Sequence, residues 1–119
     1  MTTTHAFTHY GAAFSMYSGK TRSYLRYKGI PFEEKLATAS VYRKTLIPKT
    51  GVAMIPVLET PEGEFIQDTT EIIDSLERRF PERSVYPATP KQRLVALLME
   101  LYADEWLLIP AMHYRWNFP

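Results

Sequence analysis

Cysteine is absent from the 119 residues. That excludes disulfides, thiolate metal sites and a cysteine nucleophile, and leaves the redox compartment open. An excess of charge of one sign is missing too. Fourteen Lys and Arg stand against 13 Asp and Glu, a net +1 that gives no reason to expect nucleic acid. No apolar run approaches the roughly 18 residues of a membrane span. The opening MTTTHAFTHYG lacks the charged segment and apolar core of a secretory signal. Internal repeats and low-complexity tracts are also lacking. What remains is 45% apolar and 23% charged, the balance of a folded, soluble, cytoplasmic protein with room for about one domain.

Turn and cap signals divide the chain. AFTHYG (6–11) reads as a strand ending at Gly11. Ser18 fits an N-cap, residues 19–28 fit a helix, Gly29 fits its left-handed C-cap, and Pro31 bars continuation. PFEEKLA (31–37) alternates as a second strand. SVYRKTLI (40–47) makes one or two helical turns, broken from Pro48 to Gly51. AMIPVLET (53–60) and EFIQ (64–67) form a hairpin about the turn PEG. Asp68 followed by Glu71 has capping-box logic, and the helix it opens carries Ile72, Ile73, Leu76 and Phe80 on one face. A proline-rich linker, 82–90, leads into a helix from about Lys91 to Ile109. The order β-α-β-(α)-β-β-α predicts an α/β domain over 1–81, a mixed four-stranded sheet covered by helices. In the last helix Leu94, Leu98 and Leu101, widened by Val95, Tyr102 and Trp106, read as a core face.

The stretch GAAFSMYSGKT (11–21) contains the tail of a phosphate loop, Gly19-Lys20-Thr21. Such a loop needs a further glycine five residues before Gly19, so that backbone N–H groups ring the phosphates. Phe14 stands there, and Lys20 reads as a solvated residue of a first helical turn. His5 and His9 are four apart, but the Thr and aromatic residues around them argue against a helix, and no third metal ligand is in view.

Ser15-Met16-Tyr17-Ser18, at the same strand-to-helix junction, spaces two hydroxyls as a Cys-x-x-Cys motif spaces its sulfurs. Disulfide chemistry is impossible, but a hydroxyl there can donate to a bound thiolate, and the helix N-terminus favours the same anion. With SMYSGKTRSYLRYKGIPFEE (15–34), GVAMIPVLE (51–59), FIQDTTEIIDSLE (65–77) and the proline-rich linker, the sequence over about 6–110 resembles the glutathione transferases. The likeness is to their N-terminal, thioredoxin-like domain in the classes that use serine. The resemblance implies that Ser15 stabilises the glutathione thiolate and that Pro56 is a cis-proline. It implies that Ile55 offers its backbone to the cysteinyl part, and that Asp68 and Thr69, with help from Gln67, hold the γ-glutamyl end. Family members often have Ser where Thr69 stands, and commonly proline where Ala53 or Met16 stands; neither change removes a ligand group.

The implied reaction is conjugation of the glutathione thiol to an electrophilic small molecule. Glutathione is a cosubstrate, no other cofactor or metal is implied, and a homodimer is expected of a complete member. The rival reading is a non-catalytic binding or assembly module, since fold does not fix function. Plainer roles exist for each residue: Pro56 as a strand-edge proline, Asp68 and Thr69 as a helix cap, Ser15 as a loop serine. Tyr10 is a rival thiolate stabiliser, with packing as its ordinary role, and Tyr17 a weaker one.

Residues 91–119 read as the start of an all-helical domain that is incomplete here. Leu94, Leu97, Leu98, Leu101, Trp106, Leu107 and Ile109 are spread around much of the helix, and a helix apolar on most faces expects neighbours on most faces. The 119-residue chain alone is therefore expected to self-associate and to show little or no transferase activity. A chain cut near residue 88 is expected to be more soluble. Light scattering and a thermal melt check this, and a cooperatively folding, active 119-residue monomer contradicts it.

Overall fold

The computed structural model describes residues 6–118. They form two units, one up to Arg83 and one from Ser84.

In the first unit β1 (Phe7–Gly11) is buried along its whole length. That follows from its place in the sheet order β2-β1-β3-β4, with a neighbour on each side. It runs parallel to β2 (Phe32–Leu36) and antiparallel to β3 (Val57–Glu59), which pairs antiparallel with β4 (Phe65–Gln67). The mixed four-stranded sheet expected from the element order is the sheet observed. The exposed edge strand β2 presents Glu33, Glu34 and Lys35, charges that discourage further strand pairing.

Helix α1 (Met16–Lys28) connects β1 to β2. It buries Ser18, Thr21, Tyr24 and Leu25 at helical spacing and ends on Gly29 at φ 69°, whose N–H donates to the Arg26 and Leu25 carbonyls. The left-handed C-cap is thus where the sequence indicated. The N-cap is not. Ser15 caps α1, its hydroxyl accepting the Ser18 N–H, so the helix begins a turn earlier than Ser18 suggested.

Between β2 and β3, α2 (Ala39–Val41), a π-helical turn (Tyr42–Leu46) and α3 (Ile47–Thr50) follow without a gap. Pro48 does not break this run. It lies at the start of α3, directly after the π-helical turn, and the stop comes at Gly51, φ 78°. Nor does Pro56 lie within a strand: β3 starts at the next residue, because a proline has no N–H to give the ladder. Helix α4 (Thr69–Arg79) is capped by Asp68 and buries Thr69, Ile72, Ile73 and Leu76. Leu25, Leu46, Val57, Leu58, Ile72 and Leu76 are all at most 1% exposed and form the core around the sheet.

A buried charge cluster ties the C-terminal end of α1 to that of α4. Lys28 Nζ lies 3.0 Å from Glu77 Oε1, with side chains 1% and 8% exposed. Tyr24 donates its hydroxyl to the same carboxylate at 2.7 Å. Lys28 also donates to the Phe80 and Glu82 carbonyls at 2.5 and 2.6 Å, a cation at a helix C-terminus where the dipole favours it.

In the second unit α5 (Pro90–Leu101), capped by Thr89, runs through a π-helical turn (Tyr102–Trp106) towards α6 (Leu108–Trp116). Helical structure thus continues beyond the Ile109 boundary. The face read as core is exposed: Leu94 59%, Leu98 56%, Leu101 57%, Trp106 64%. A sheet or bundle buries such a stripe with a second layer, and a helical run this short brings none of its own.

The Lys28–Glu77 cluster sets a stability test. Lys28→Met leaves Glu77 buried without its counter-charge, and breaking such a pair costs about 3–5 kcal/mol. Denaturant unfolding is expected to show a loss of that size.

Candidate functional site

Strand register brings three chain segments to one edge of the sheet. Tyr10 pairs with Val57, and Val57 with Gln67. Beyond that row β1 continues to Gly11 and the turn to Ser15. The antiparallel β3 is entered through Ile55 and Pro56, and β4 exits into Asp68 and Thr69. All six residues singled out in the sequence therefore lie at or just beyond this edge: Ser15, Ile55, Pro56, Gln67, Asp68 and Thr69. α1 and α4 both start here, so two positive helix ends face the same region, outside the carboxyl end of β1.

The β1–α1 turn is closed by three hydrogen bonds. Ser15 N–H donates to the Ala12 carbonyl at 3.2 Å. Ser18 N–H donates to Ser15 Oγ at 3.2 Å, and Ala12 N–H to Ser18 Oγ at 3.2 Å. A hydroxyl that accepts through a lone pair keeps its proton to donate, so Ser15, half-buried, can still offer O–H to an anion.

Ser18 is fully buried, and room for it exists because residue 11 is glycine. A Cβ on Gly11 would lie 2.7 Å from Ser18 Oγ and 2.8 Å from His9 Cε1. His9, also fully buried, has Nε2 2.7 Å from Thr21 Oγ1. Its Nδ1 is 3.5 Å from Glu34 Oε1, too long for a good hydrogen bond. Burial pushes the imidazole below its usual range, and the Glu34 carboxylate offsets this only in part. Arg22 forks onto Glu34 and holds that carboxyl below the usual carboxylate range. His9 thus serves as a neutral post under α1. Its suggested partner His5 lies outside the described residues. Sequence reading missed the His9–Thr21 and Gly11–Ser18 contacts, and no spacing rule signals them.

The Ile55–Pro56 peptide is cis, as the resemblance implied, with Pro56 buried and Ile55 partly so. Asp68 is exposed and left-handed at φ 81°, unusual for a residue other than glycine. Its Oδ1 accepts the Thr70 N–H at 2.9 Å, which anchors the conformation. Thr69 beside it is 5% exposed, and Gln67 half-buried.

Tyr10 is already committed elsewhere. It is 5% exposed, its ring stacks on Phe65 with centroids 6.1 Å apart, and it packs with Leu46 and Val57. Its hydroxyl donates to Glu59 Oε2 at 2.7 Å. Burial first, then the Glu59 carboxylate, pushes the phenol up to about 12. A proton already given to a carboxylate is not available to a ligand thiolate.

Residues 10–84 match the family model described as glutathione S-transferase, N-terminal domain. No curated protein matches the chain. Among solved structures, a glutathione S-transferase from Methylobacterium radiotolerans in complex with glutathione sulfonate is 27% identical. The alignment covers 84% of this chain and 47% of that one, with a TM-score of 0.76. A Tau class glutathione S-transferase from mango is 24% identical over 85% of this chain and 46% of its own, TM-score 0.76. A glutathione S-transferase from Methylobacillus flagellatus with GSH bound is 23% identical over 83% and 49%, TM-score 0.73. The chain spans about half the length of the solved structures it matches. No helix among the described residues is long and apolar enough to cross a membrane.

Tyr10→Phe tests its assignment to the core. Removing a hydroxyl bound to a carboxylate is expected to lower unfolding stability by about 1–2 kcal/mol. The raised phenol favours the neutral fold, so this contribution is present below pH about 10 and lost as pH rises through about 12. Urea unfolding at neutral and alkaline pH checks both points.

Proposed function

This chain belongs to the glutathione S-transferase N-terminal domain family, and on that premise we propose that it is the glutathione-binding part of a glutathione transferase. The observation that carries the reading is the convergence at one sheet edge of the Ser15 turn, the Ile55–Pro56 segment and Asp68–Thr69, between two helix N-termini.

In this reading the thiol of glutathione sits against Ser15. Its hydroxyl, polarised by the Ser18 N–H it accepts, donates to the sulfur as the proton leaves. The α1 N-terminus favours the same negative charge, so both lower the thiol pKa and raise the thiolate fraction near neutral pH. The Ile55 backbone N–H and C=O bind the cysteinyl amide groups. The Asp68 carboxylate takes the γ-glutamyl ammonium, and the Thr69 hydroxyl with the first N–H groups of α4 takes its carboxylate, Gln67 assisting. The thiolate then attacks an electrophilic small molecule: a C–S bond forms and the electrophile's leaving group or π-electron pair departs. Homodimeric assembly and a cytoplasmic setting accompany the same proposal. Capping alone accounts for Ser15 and Asp68 one at a time; their convergence with Ile55–Pro56, Gln67 and Thr69 at one place supports ligand binding over a purely structural module.

Calorimetric titration with glutathione is the test. Asp68→Ala removes a cap worth about 1 kcal/mol, and in this reading it also lowers affinity in the fraction that remains folded. Ser15→Ala is expected to lower turnover by about 100- to 1,000-fold in a form of the protein that turns over, the scale of one well-placed donor. Absence of any binding heat with the unsubstituted chain overturns the proposal, and unchanged affinity in Asp68→Ala leaves that residue a cap alone.

A further inference from the structure

Ser18 is the hydroxyl of the Ser-x-x-Ser pair that the proposed chemistry does not use. It is fully buried, a poor place for a polar side chain without a task. Its oxygen accepts the Ala12 N–H, its own N–H is donated to Ser15 Oγ, and the Ala12 carbonyl receives the Ser15 N–H. These three bonds make a closed circuit. Ser18 therefore holds Ser15 at two points: through its backbone N–H, which fixes the hydroxyl, and through its side chain, which holds residue 12, whose carbonyl in turn receives the Ser15 N–H.

We infer that Ser18 is a positioning residue for Ser15, setting the direction in which the Ser15 hydroxyl donates to a ligand thiolate.

Three features separate this from simple packing. An alanine at 18 preserves helix propensity and most of the volume, so packing alone gives the hydroxyl no purpose. Gly11 keeps the space clear, and its missing Cβ faces Ser18 Oγ at 2.7 Å. Third, Ala12 is 5% exposed, so little water can reach its N–H once Ser18 Oγ is gone. The turn is then expected to rotate until that N–H finds water, carrying with it the Ser15 backbone that hangs from the Ala12 carbonyl. A hydrogen bond to a thiolate is directional, so a small rotation weakens it while leaving the remaining glutathione contacts in place.

The inference rests on Ser15 as thiolate stabiliser, and the experiment separates the two. Glutathione labelled with ¹³C at the cysteinyl β-carbon is bound to the 119-residue chain, and its chemical shift is followed against pH to give the thiol pKa in the complex. Four chains are compared: unsubstituted, Ser15→Ala, Ser18→Ala and Thr21→Val. Thr21 is also fully buried, one turn further along α1; its hydroxyl meets His9 and the Tyr17 and Ser18 carbonyls and makes none of the three bonds of the circuit. Ser18→Ala is expected to raise the bound-thiol pKa by about one unit with glutathione affinity changed less than threefold. Thr21→Val is expected to lower thermal stability comparably and leave the pKa where it was. An unshifted pKa in Ser18→Ala, or equal shifts in Ser18→Ala and Thr21→Val, overturns the positioning role while the Ser15 reading stands. An unshifted pKa in Ser15→Ala, or no binding by the unsubstituted chain, overturns the Ser15 reading and this inference with it. If Ser18→Ala does not fold, Ser18→Cys, which fills the buried space with a poor acceptor, is judged by the same criterion.

Discussion

The close approach of α1 to β1 at Gly11 is the constraint on which the rest of the first unit depends. No side chain fits there, because Ser18 and His9 already occupy the place of a Cβ. Contact that close lets the Ser18 hydroxyl reach a strand amide and lets Thr21 meet a fully buried histidine. It also sets α1 down with its N-terminus at the carboxyl end of a strand that has neighbours on both sides. β1 then dictates the register of β3, and β3 that of β4, so the segments before β3 and after β4 emerge beside the Ser15 turn. Position along a central strand is thereby converted into the geometry of the proposed binding edge.

The two ends of the helices use opposite electrostatics. At their start α1 and α4 present N–H groups, side-chain caps and the exposed Asp68, a setting suited to a zwitterionic ligand end. At their far end, about 20 Å along α1 at the usual helical rise, the Lys28 ammonium meets the last carbonyls of α4 and the Glu77 carboxylate. The charged pair there is satisfied and shielded from water, which ties the two helices together.

The second unit shows the other use of apolar surface. Leu94, Leu98, Leu101 and Trp106 have the spacing of a core face, yet each is more than half exposed. Spacing alone specifies that a face is apolar; burial requires a second layer, and that is a property of the assembly. The solved relatives are about twice the aligned length.

Much of the first unit was legible in the residues because its signals are local. The Gly29 C-cap and the Asp68 N-cap depend on backbone angles and neighbours a few residues away, and each stands where those rules put it; β2 forms where its alternation indicated, but as an edge strand it is exposed from Glu33 to Leu36 and the alternation is not one of burial. The four-stranded mixed sheet followed from element order and connection handedness. Where two residues could satisfy the same local rule, the sequence could not choose. Ser15 and Ser18 are both good caps, and the choice fell to Ser15 because Ser18 is drawn inward by the Ala12 amide. Tyr10 and Ser15 are both hydroxyls near one junction, and the tyrosine donates to a carboxylate 49 residues further on, a partner no local rule identifies. Lys28 found Glu77, and His9 found Thr21, through packing that no periodicity encodes. The sequence by itself determined which elements form and some of their ends, such as Gly29 and Gly51. Tertiary structure decided which polar groups are spent on the fold and which are left to face a ligand, because that depends on distances between segments far apart in the chain.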